Sequence, residues 1–126
     1  MSSEGAVAVV RHALELLNDG DLDGFQALLT PTVTYRSPPH TVQFPGNVAA
    51  FLRRERDELP GLRLCLHDIF SDGAGSRVVV TALWSTGRLR SEVCLVFQLS
   101  GELIDDVAVY GGLGRMLHDL GARRVA

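Results

Sequence analysis

The second half of the chain is dominated by strand patterns separated by turn residues, and this arrangement constrains the fold more than any other feature. Four apolar segments rich in β-branched residues follow one another with only short polar or glycine-containing breaks between them. The predicted strands are residues 62–70, 77–86, 88–99 and 103–110. Connections this short join antiparallel neighbours, because a parallel pair needs a crossover of about a dozen residues or more. The segment therefore predicts an antiparallel meander.

The first half carries mostly helical patterns. Apolar residues recur at helical spacing in the first segment, and Asp19-Gly20 ends it before Asp21 begins a second, short helix. The predicted elements are helices over residues 4–18, 21–29 and 46–59, a strand over 32–37, a loop over 38–45 and a last helix over 113–120. Helices grouped early and strands grouped late predict an α+β fold, with a curved antiparallel sheet that holds the N-terminal helices on its concave face.

Length and composition favour one globular domain over residues 1–126. The net charge is −3 and no run of basic residues exceeds a pair, which argues against a nucleic-acid partner. No segment approaches the roughly 20 apolar residues that span a bilayer, and no signal peptide precedes the first helix. We expect a cytoplasmic protein without a membrane partner, in which Cys65 and Cys94 are buried, reduced thiols.

A strongly bent sheet encloses a cone whose mouth is too wide for side chains to fill, and such a cone is a natural site for a small organic molecule. The histidines, cysteines and carboxylates lack the spacing of metal ligands. The glycines at 111, 112 and 114 follow a strand without the rest of a phosphate-binding motif. The sequence therefore predicts neither a metal nor a cofactor.

Several segments resemble one known superfamily. They are Leu-Asn-Asp-Gly-Asp-Leu-Asp-Gly-Phe at 17–25, Val-Thr-Tyr at 33–35, Val-Phe-Gln-Leu-Ser-Gly-Glu-Leu at 96–103 and Leu-His-Asp-Leu-Gly at 117–121. The chain resembles the nuclear-transport-factor-2-like superfamily over residues 7–121, and within it the SnoaL-like polyketide cyclases and steroid Δ-isomerases. The resemblance implies a cystatin-like roll. It implies little about the reaction, because members of this fold include isomerases, epoxide hydrolases, cyclases and pure binding modules.

The catalytic positions of these relatives are occupied by other residues here. By resemblance, the tyrosine and two aspartates of the steroid isomerases correspond to Ala13, Ser37 and Leu95. The arginine and aspartates of limonene-type epoxide hydrolases correspond to Leu83, Ser85 and Ala108. The aspartate that SnoaL-like cyclases place at the end of the last strand is also missing near residues 110–112. None of the three mechanisms transfers directly.

Asp106 is the leading candidate for acid–base chemistry. Alternation places Asp106, Ala108 and Tyr110 on one face of the last strand, and the resemblance turns that face toward the cone. An aspartate among apolar walls has its pKa raised by desolvation, which suits a general acid or base at neutral pH. The alternative is that Asp105-Asp106 is a solvated strand start.

Other candidates are expected around the same cone. His40, in the loop over its mouth, is either a proton-exchanging group or an exposed loop histidine. Tyr35 either hydrogen-bonds a ligand carbonyl or fills core volume. The resemblance adds further lining positions, which are Ser37, Leu83, Ser85, Leu95, Ala108 and Tyr110.

The resemblance turns Trp84 to the outer face of the sheet, together with Val107 and Val109. An apolar outer face is usually covered, so we expect a homodimer through it.

Two functions remain open. The first is a cofactor-independent enzyme of secondary metabolism that cyclises, dehydrates or isomerises a polyketide-like or polycyclic apolar molecule, with Asp106 and His40 as its catalytic groups. The second is a non-catalytic small-molecule-binding or accessory module of the same fold.

Overall fold

The structure is a computed structural model and describes residues 2–72, 75–87 and 89–111. Its elements in chain order are α1 (Ser3–Asp19), α2 (Leu22–Gln26), β1 (Leu29–Ser37), β2 (His40–Gln43), α3 (Pro45–Glu58), β3 (Arg63–Ser71), β4 (Arg77–Thr86), β5 (Leu89–Ser100) and β6 (Leu103–Tyr110). The predicted α+β class is confirmed. The predicted last helix, over 113–120, lies outside the described residues.

The strands form one curved, unclosed sheet in the order β2-β1-β6-β5-β4-β3. The meander from β3 to β6 is antiparallel, as predicted. The sheet as a whole is mixed, because β1 pairs with β6 in parallel. The chain between these two strands contains α3 and the other sheet strands, which gives the long crossover that a parallel pair needs.

The loop predicted over 38–45 contains a strand. Pro38 and Pro39 form the turn of a β1–β2 hairpin rather than interrupting a ladder, so the missing proline donors cost no strand hydrogen bond. β1 also begins at Leu29, three residues earlier than expected. Pro31 is accommodated there because the pairing of β1 with β6 is irregular between Leu29 and Thr34.

Local capping defines the helix ends. The Ser2 side chain accepts a hydrogen bond from the Gly5 backbone at 3.1 Å and starts α1. Gly20 ends α1 in the left-handed conformation, with φ 76°, which a residue with a side chain rarely adopts. Asp21 then caps α2 by accepting from the Gly24 backbone at 2.8 Å.

The core lies between the concave sheet face and the three helices. Helix α1 contacts β3 and β4, while α3 contacts α2, β1 and β2. Phe25 of α2, Phe97 of β5 and Ile104 of β6 are fully buried where these layers meet. The side chains of this layer do not fill the concave side to its open end, and a cavity remains there.

Candidate functional site

A cavity of about 660 Å³ opens between the concave sheet face and helix α3. This volume lies in the range of about 300–1,000 Å³ that is usual for small-molecule sites. Its apolar lining residues are Leu17, Phe25, Pro38, Leu52, Leu62, Leu64, Trp84, Val93, Leu95, Phe97, Val107 and Val109. The residues with polar side chains along it are Asn18, Tyr35, Ser37, Glu55, Arg56, Ser91, Glu92 and Tyr110. A few polar groups on an apolar wall are what a site for a small organic molecule requires.

Tyr35 presents a buried phenol to this cavity. The side chain is 7% exposed, and its ring lies 5.8 Å from the ring of Phe51. Burial, with a smaller contribution from the charge of Glu55, raises the pKa of Tyr35 well above its ordinary value. The hydroxyl therefore stays protonated at neutral pH and can act as a hydrogen-bond donor. Because Tyr35 borders the cavity, this donor can reach a ligand bound there.

Glu55 brings a carboxyl group to the same cavity from α3. It lies three residues after the buried Leu52, so helical spacing turns both toward the interior. Desolvation raises the pKa of Glu55, the charge of Glu58 raises it further, and the charge of His40 opposes both. In the described part of the chain no cation forms an ion pair with it. A carboxyl group with a raised pKa beside a phenol that donates is suited to proton transfer.

Glu92 also borders the cavity, but its environment differs from that of Glu55. Its side chain is exposed, whereas Glu55 is half-buried. Alternation along β5 also places the Glu92 side chain on the outer face with Cys94, whose pKa is raised by burial and by the charge of Glu92. Glu55 is therefore the stronger acid–base candidate.

His40 begins β2 and lies outside the cavity wall. Its exposed ring lies 5.4 Å from the ring of Phe51, and Phe51 in turn contacts Tyr35. The charge of His40 lowers the pKa of Glu55. His40 therefore influences the pKa of Glu55 without bordering the cavity itself.

Arg56 lies on another side of the cavity, against the end of α1. Its Nη1 donates a hydrogen bond to the Leu17 carbonyl oxygen at 2.5 Å. Its guanidinium occupies the space that a side chain at residue 20 would need, since a Cβ on Gly20 would lie 3.3 Å from Nη2. A cation at the C-terminus of a helix is stabilised by the unpaired carbonyl groups there.

The expected orientation of the last strand is wrong. Gln98 pairs with Asp106 and Leu99 with Ile104, which leaves Asp105 as an extra residue that forms a β-bulge. Ile104 and Val107 both face the interior as a result, because one extra residue exchanges the faces of all that follow it. Asp106 lies on the outer face, where its Oδ2 pairs with Nη2 of Arg36 at 2.6 Å. The acid–base role expected of Asp106 would require its side chain to lie on the concave face of the sheet, where the cavity is.

The expected orientation of β4 is also wrong. Val80, Ala82 and Trp84 face the interior, and Trp84 borders the cavity. Leu83 and Ser85, which alternate with them, face outward and do not border it. The alternation in β4 could not decide between the faces, because both carry apolar residues.

The remaining lining predictions divide between the two faces. Tyr35, Ser37 and Leu95 border the cavity. Tyr110 reaches its edge, but its side chain packs on the outer face of the sheet. Ala108 lies on the outer face, in a small cluster with Cys94 and Val96.

The same reversal corrects the expected dimer surface. Trp84, Val107 and Val109 all border the cavity, so they cannot form an outer apolar face.

The expected burial of Cys65 is also wrong. This residue is exposed, because it lies on β3 at the edge of the sheet, whereas Cys94 is buried as expected and both are free thiols.

Glu55 and Arg56 were not predicted as site residues. They belong to the charged run Arg-Arg-Glu-Arg-Asp-Glu at 53–58, which has the composition of a solvated helix face. The available signal was their spacing from Leu52, at three and four residues, since these distances place side chains on one side of a helix.

Within the described ranges, no three His, Cys, Asp or Glu side chains lie close enough together to hold a metal ion. Nor do the described residues include a helix of the length and hydropathy needed to cross a bilayer.

A curved sheet with helices on its concave face is also found in known proteins. The profile of the SnoaL-like domain family matches residues 10–107, and the chain belongs to this family. Among curated proteins, no sequence matches the chain significantly.

Solved structures of similar fold come from several sources. Bal32a, from a soil-derived mobile gene cassette, is 19% identical with a TM-score of 0.78 and covers 86% of this chain and 89% of its own. A predicted ketosteroid isomerase from Kribbella flavida is 20% identical with a TM-score of 0.75, covering 98% and 92%. An LEH-like epoxide hydrolase from M. tuberculosis is 25% identical with a TM-score of 0.71, covering 94% and 90%. These similarities establish the fold.

Proposed function

We propose that this protein is an enzyme that moves a proton at a carbon atom next to a carbonyl group of a polyketide-like or polycyclic apolar molecule. Cyclisation, dehydration and isomerisation of such molecules can each begin with this step. The observation that carries the proposal is the position of the Glu55 carboxyl group, half-buried in an apolar cavity beside the buried phenol of Tyr35. The two groups supply a base and a hydrogen-bond donor.

In the proposed reaction, the carboxylate of Glu55 takes the proton from the α-carbon of the substrate. The electron pair of the broken C–H bond moves into the carbonyl group and forms an enolate. The Tyr35 hydroxyl donates a hydrogen bond to the enolate oxygen and stabilises its charge in a site with little water. The enolate then either recovers the proton from Glu55 at another carbon or attacks a second carbonyl of the same molecule. In the second case Glu55 returns the proton to the new alkoxide.

The raised pKa of Glu55 supports this role. A carboxylate that is poorly solvated in the folded protein is a stronger base than one in water, and its conjugate acid can return the proton near neutral pH. The opposing charge of His40 limits this rise in the pKa of Glu55. The apolar walls accommodate the skeleton of the substrate, and the cavity holds it against these two groups.

The test uses a simple ketone, so the natural substrate need not be known. Exchange of the α-protons of 2-tetralone in D₂O is followed by ¹H NMR with the wild-type protein, Glu55→Gln and Asp57→Asn. Asp57 is an exposed carboxylate on the same helix and serves as the matched control. We expect wild type and Asp57→Asn to accelerate exchange and Glu55→Gln to return it to the buffer rate.

Two results would contradict the proposal. Unchanged exchange in Glu55→Gln would show that another group accepts the proton. Binding of 2-tetralone without any exchange by the wild-type protein would instead identify a non-catalytic binding module. Binding is measured independently through the fluorescence of Trp84, which borders the cavity and is the single tryptophan of the sequence.

A further inference from the structure

The polar groups of the cavity divide into two sets. Tyr35, Ser37 and Glu55 lie toward β1 and α3, where the proposed proton transfer takes place. Arg56 lies toward α1, beside Leu17 and the N-terminal end of β3. Although Glu55 and Arg56 are adjacent in sequence, neighbouring residues on a helix do not face each other, and Arg56 is directed to Leu17 and Gly20. The guanidinium and the carboxyl group therefore belong to different parts of the cavity.

The charge of Arg56 is not neutralised by a carboxylate in the described part of the chain. The ion pairs there join Arg36 to Asp106 and Arg53 to Asp23. The hydrogen bond that Arg56 makes goes to a neutral acceptor, the Leu17 carbonyl oxygen. A guanidinium has five N–H donors in a planar arrangement that suits a carboxylate. One bond to a carbonyl leaves most of these donors available at the cavity wall.

The position of the guanidinium is well defined. The bond to Leu17 holds one end of it, and the absence of a side chain at Gly20 makes room for the other nitrogens. The adjoining wall is also held firmly, because Asn18 makes two hydrogen bonds with the backbone of Leu64, the cross-strand partner of Trp84. A cation fixed at an apolar wall binds an anion more strongly than one on a mobile side chain in water, because less ordering is needed when the anion binds.

We propose that Arg56 binds an acidic oxygen substituent of the substrate, so that the protein selects apolar ring systems carrying a carboxylate or an equally acidic hydroxyl group. The inference rests on the proposed function, since it names the substrate class of the same cavity. The acidic group sits at Arg56, the ring system lies along Trp84 and Leu64, and the reacting ketone faces Tyr35 and Glu55. Arg56 thereby orients the substrate without taking part in the proton transfer.

The experiment compares two ligands of nearly equal shape, 2-naphthoate and 2-naphthamide, by isothermal titration calorimetry at neutral pH. A hydrogen-bonded charge pair is worth about 1.5–3 kcal/mol, which corresponds to a preference of roughly tenfold or more. We expect the wild-type protein to bind the carboxylate at least about tenfold more tightly than the amide. Equal affinities, or tighter binding of the amide, would overturn the inference.

Variants connect this preference to Arg56. Arg56→Gln is expected to lose it and Arg56→Lys to retain most of it, while Arg54→Gln, an exposed arginine on the same helix, keeps the wild-type ratio. A preference that survives in a folded Arg56→Gln protein would overturn the assignment. Because Arg56 also contacts the end of α1, folding is checked by circular dichroism. If Arg56→Gln does not fold, Arg56→Met, which keeps the apolar part of the side chain without the charge, takes its place.

The outcome is separable from that of the proposed function. 2-Tetralone carries no acidic group, so its α-proton exchange depends on Glu55 and not on Arg56. Wild-type exchange without a carboxylate preference would reject the role of Arg56 alone. A carboxylate preference without exchange would reject the proton transfer and leave the anion-binding site standing.

Discussion

Asn18 closes the free edge of β3 by making two hydrogen bonds with the backbone of Leu64. Its Nδ2 donates to the Leu64 carbonyl oxygen at 2.9 Å, and its Oδ1 accepts from the Leu64 N–H at 2.8 Å. β3 is the last strand of the sheet, so these backbone groups have no strand partner on that side. The contact joins the end of α1 to the wall of the cavity.

Replacing Asn18 with alanine is expected to lower the free energy of unfolding by about 2 kcal/mol, because two partly buried hydrogen bonds are lost at about 1 kcal/mol each. The measurement is urea denaturation followed by circular dichroism. Asn18→Asp keeps the acceptor and loses the donor, so a smaller loss is expected. An alanine variant as stable as wild type would show that water replaces both bonds.

Glu55 is expected to reduce the stability of the folded protein at neutral pH. Its folded-state pKa is raised, so the protonated form is favoured on folding, and stability is lost as the pH rises through that pKa. Glu55→Gln, which is neutral at every pH, should therefore unfold at a higher temperature than wild type near pH 7. The difference should vanish below the ordinary glutamate pKa of about 4.3. Thermal unfolding over a pH series tests this, with Asp57→Asn as the control, and a difference independent of pH would contradict it.

Removing the Tyr35 hydroxyl should slow the reaction more than it weakens binding. Loss of one donor to a developing oxyanion typically costs about 10²–10³ in rate. Tyr35→Phe keeps the ring and its contact with Phe51, so the fold is expected to persist. The measurement is α-proton exchange of 2-tetralone, together with the binding constant from Trp84 fluorescence. Equal losses in rate and binding would assign Tyr35 to ligand binding alone.

Asp106 is expected to matter little for catalysis. Its ion pair with Arg36 joins side chains that are 24% and 53% exposed, so Asp106→Asn should lower the free energy of unfolding by at most about 1 kcal/mol. The exchange rate of 2-tetralone should equal that of wild type, because the carboxylate lies on the face of the sheet away from the cavity. A large loss of exchange in a stable Asp106→Asn protein would restore the acid–base role to this residue.

The sequence predicts the element order well and the orientation of the strands poorly. The meander from β3 to β6 follows from β-branched segments and turn residues, which are local properties of the chain. The side of the sheet that Asp106 faces depends on the extra residue Asp105, because a β-bulge exchanges the faces of the residues that follow it. The hydroxyl groups of Thr30 and Thr32 donate hydrogen bonds to Oδ1 of Asp105, at 2.5 and 3.1 Å. These contacts join distant parts of the chain, so the local sequence does not reveal them.

The sequence predicted only part of the candidate site, because contacts between distant residues also determine which side chains border the cavity. Tyr35 and Ser37 both border the cavity, because no irregularity in β1 separates them. Glu55 was not predicted as a site residue because its neighbours in the sequence are charged. Its neighbours in space are Leu52 and Tyr35. A raised carboxyl pKa is a property of the packed interior and has no counterpart in the local sequence.

A ¹³C NMR titration of the glutamate side-chain carboxyl groups tests directly whether Glu55 is a desolvated acid–base group in the cavity. The Glu55 signal is assigned by its disappearance in Glu55→Gln. We expect Glu55 to titrate above the ordinary glutamate pKa of about 4.3, and a bound apolar ketone to raise its pKa further. Titration of Glu55 at or below that value, unaffected by the ketone, would contradict it.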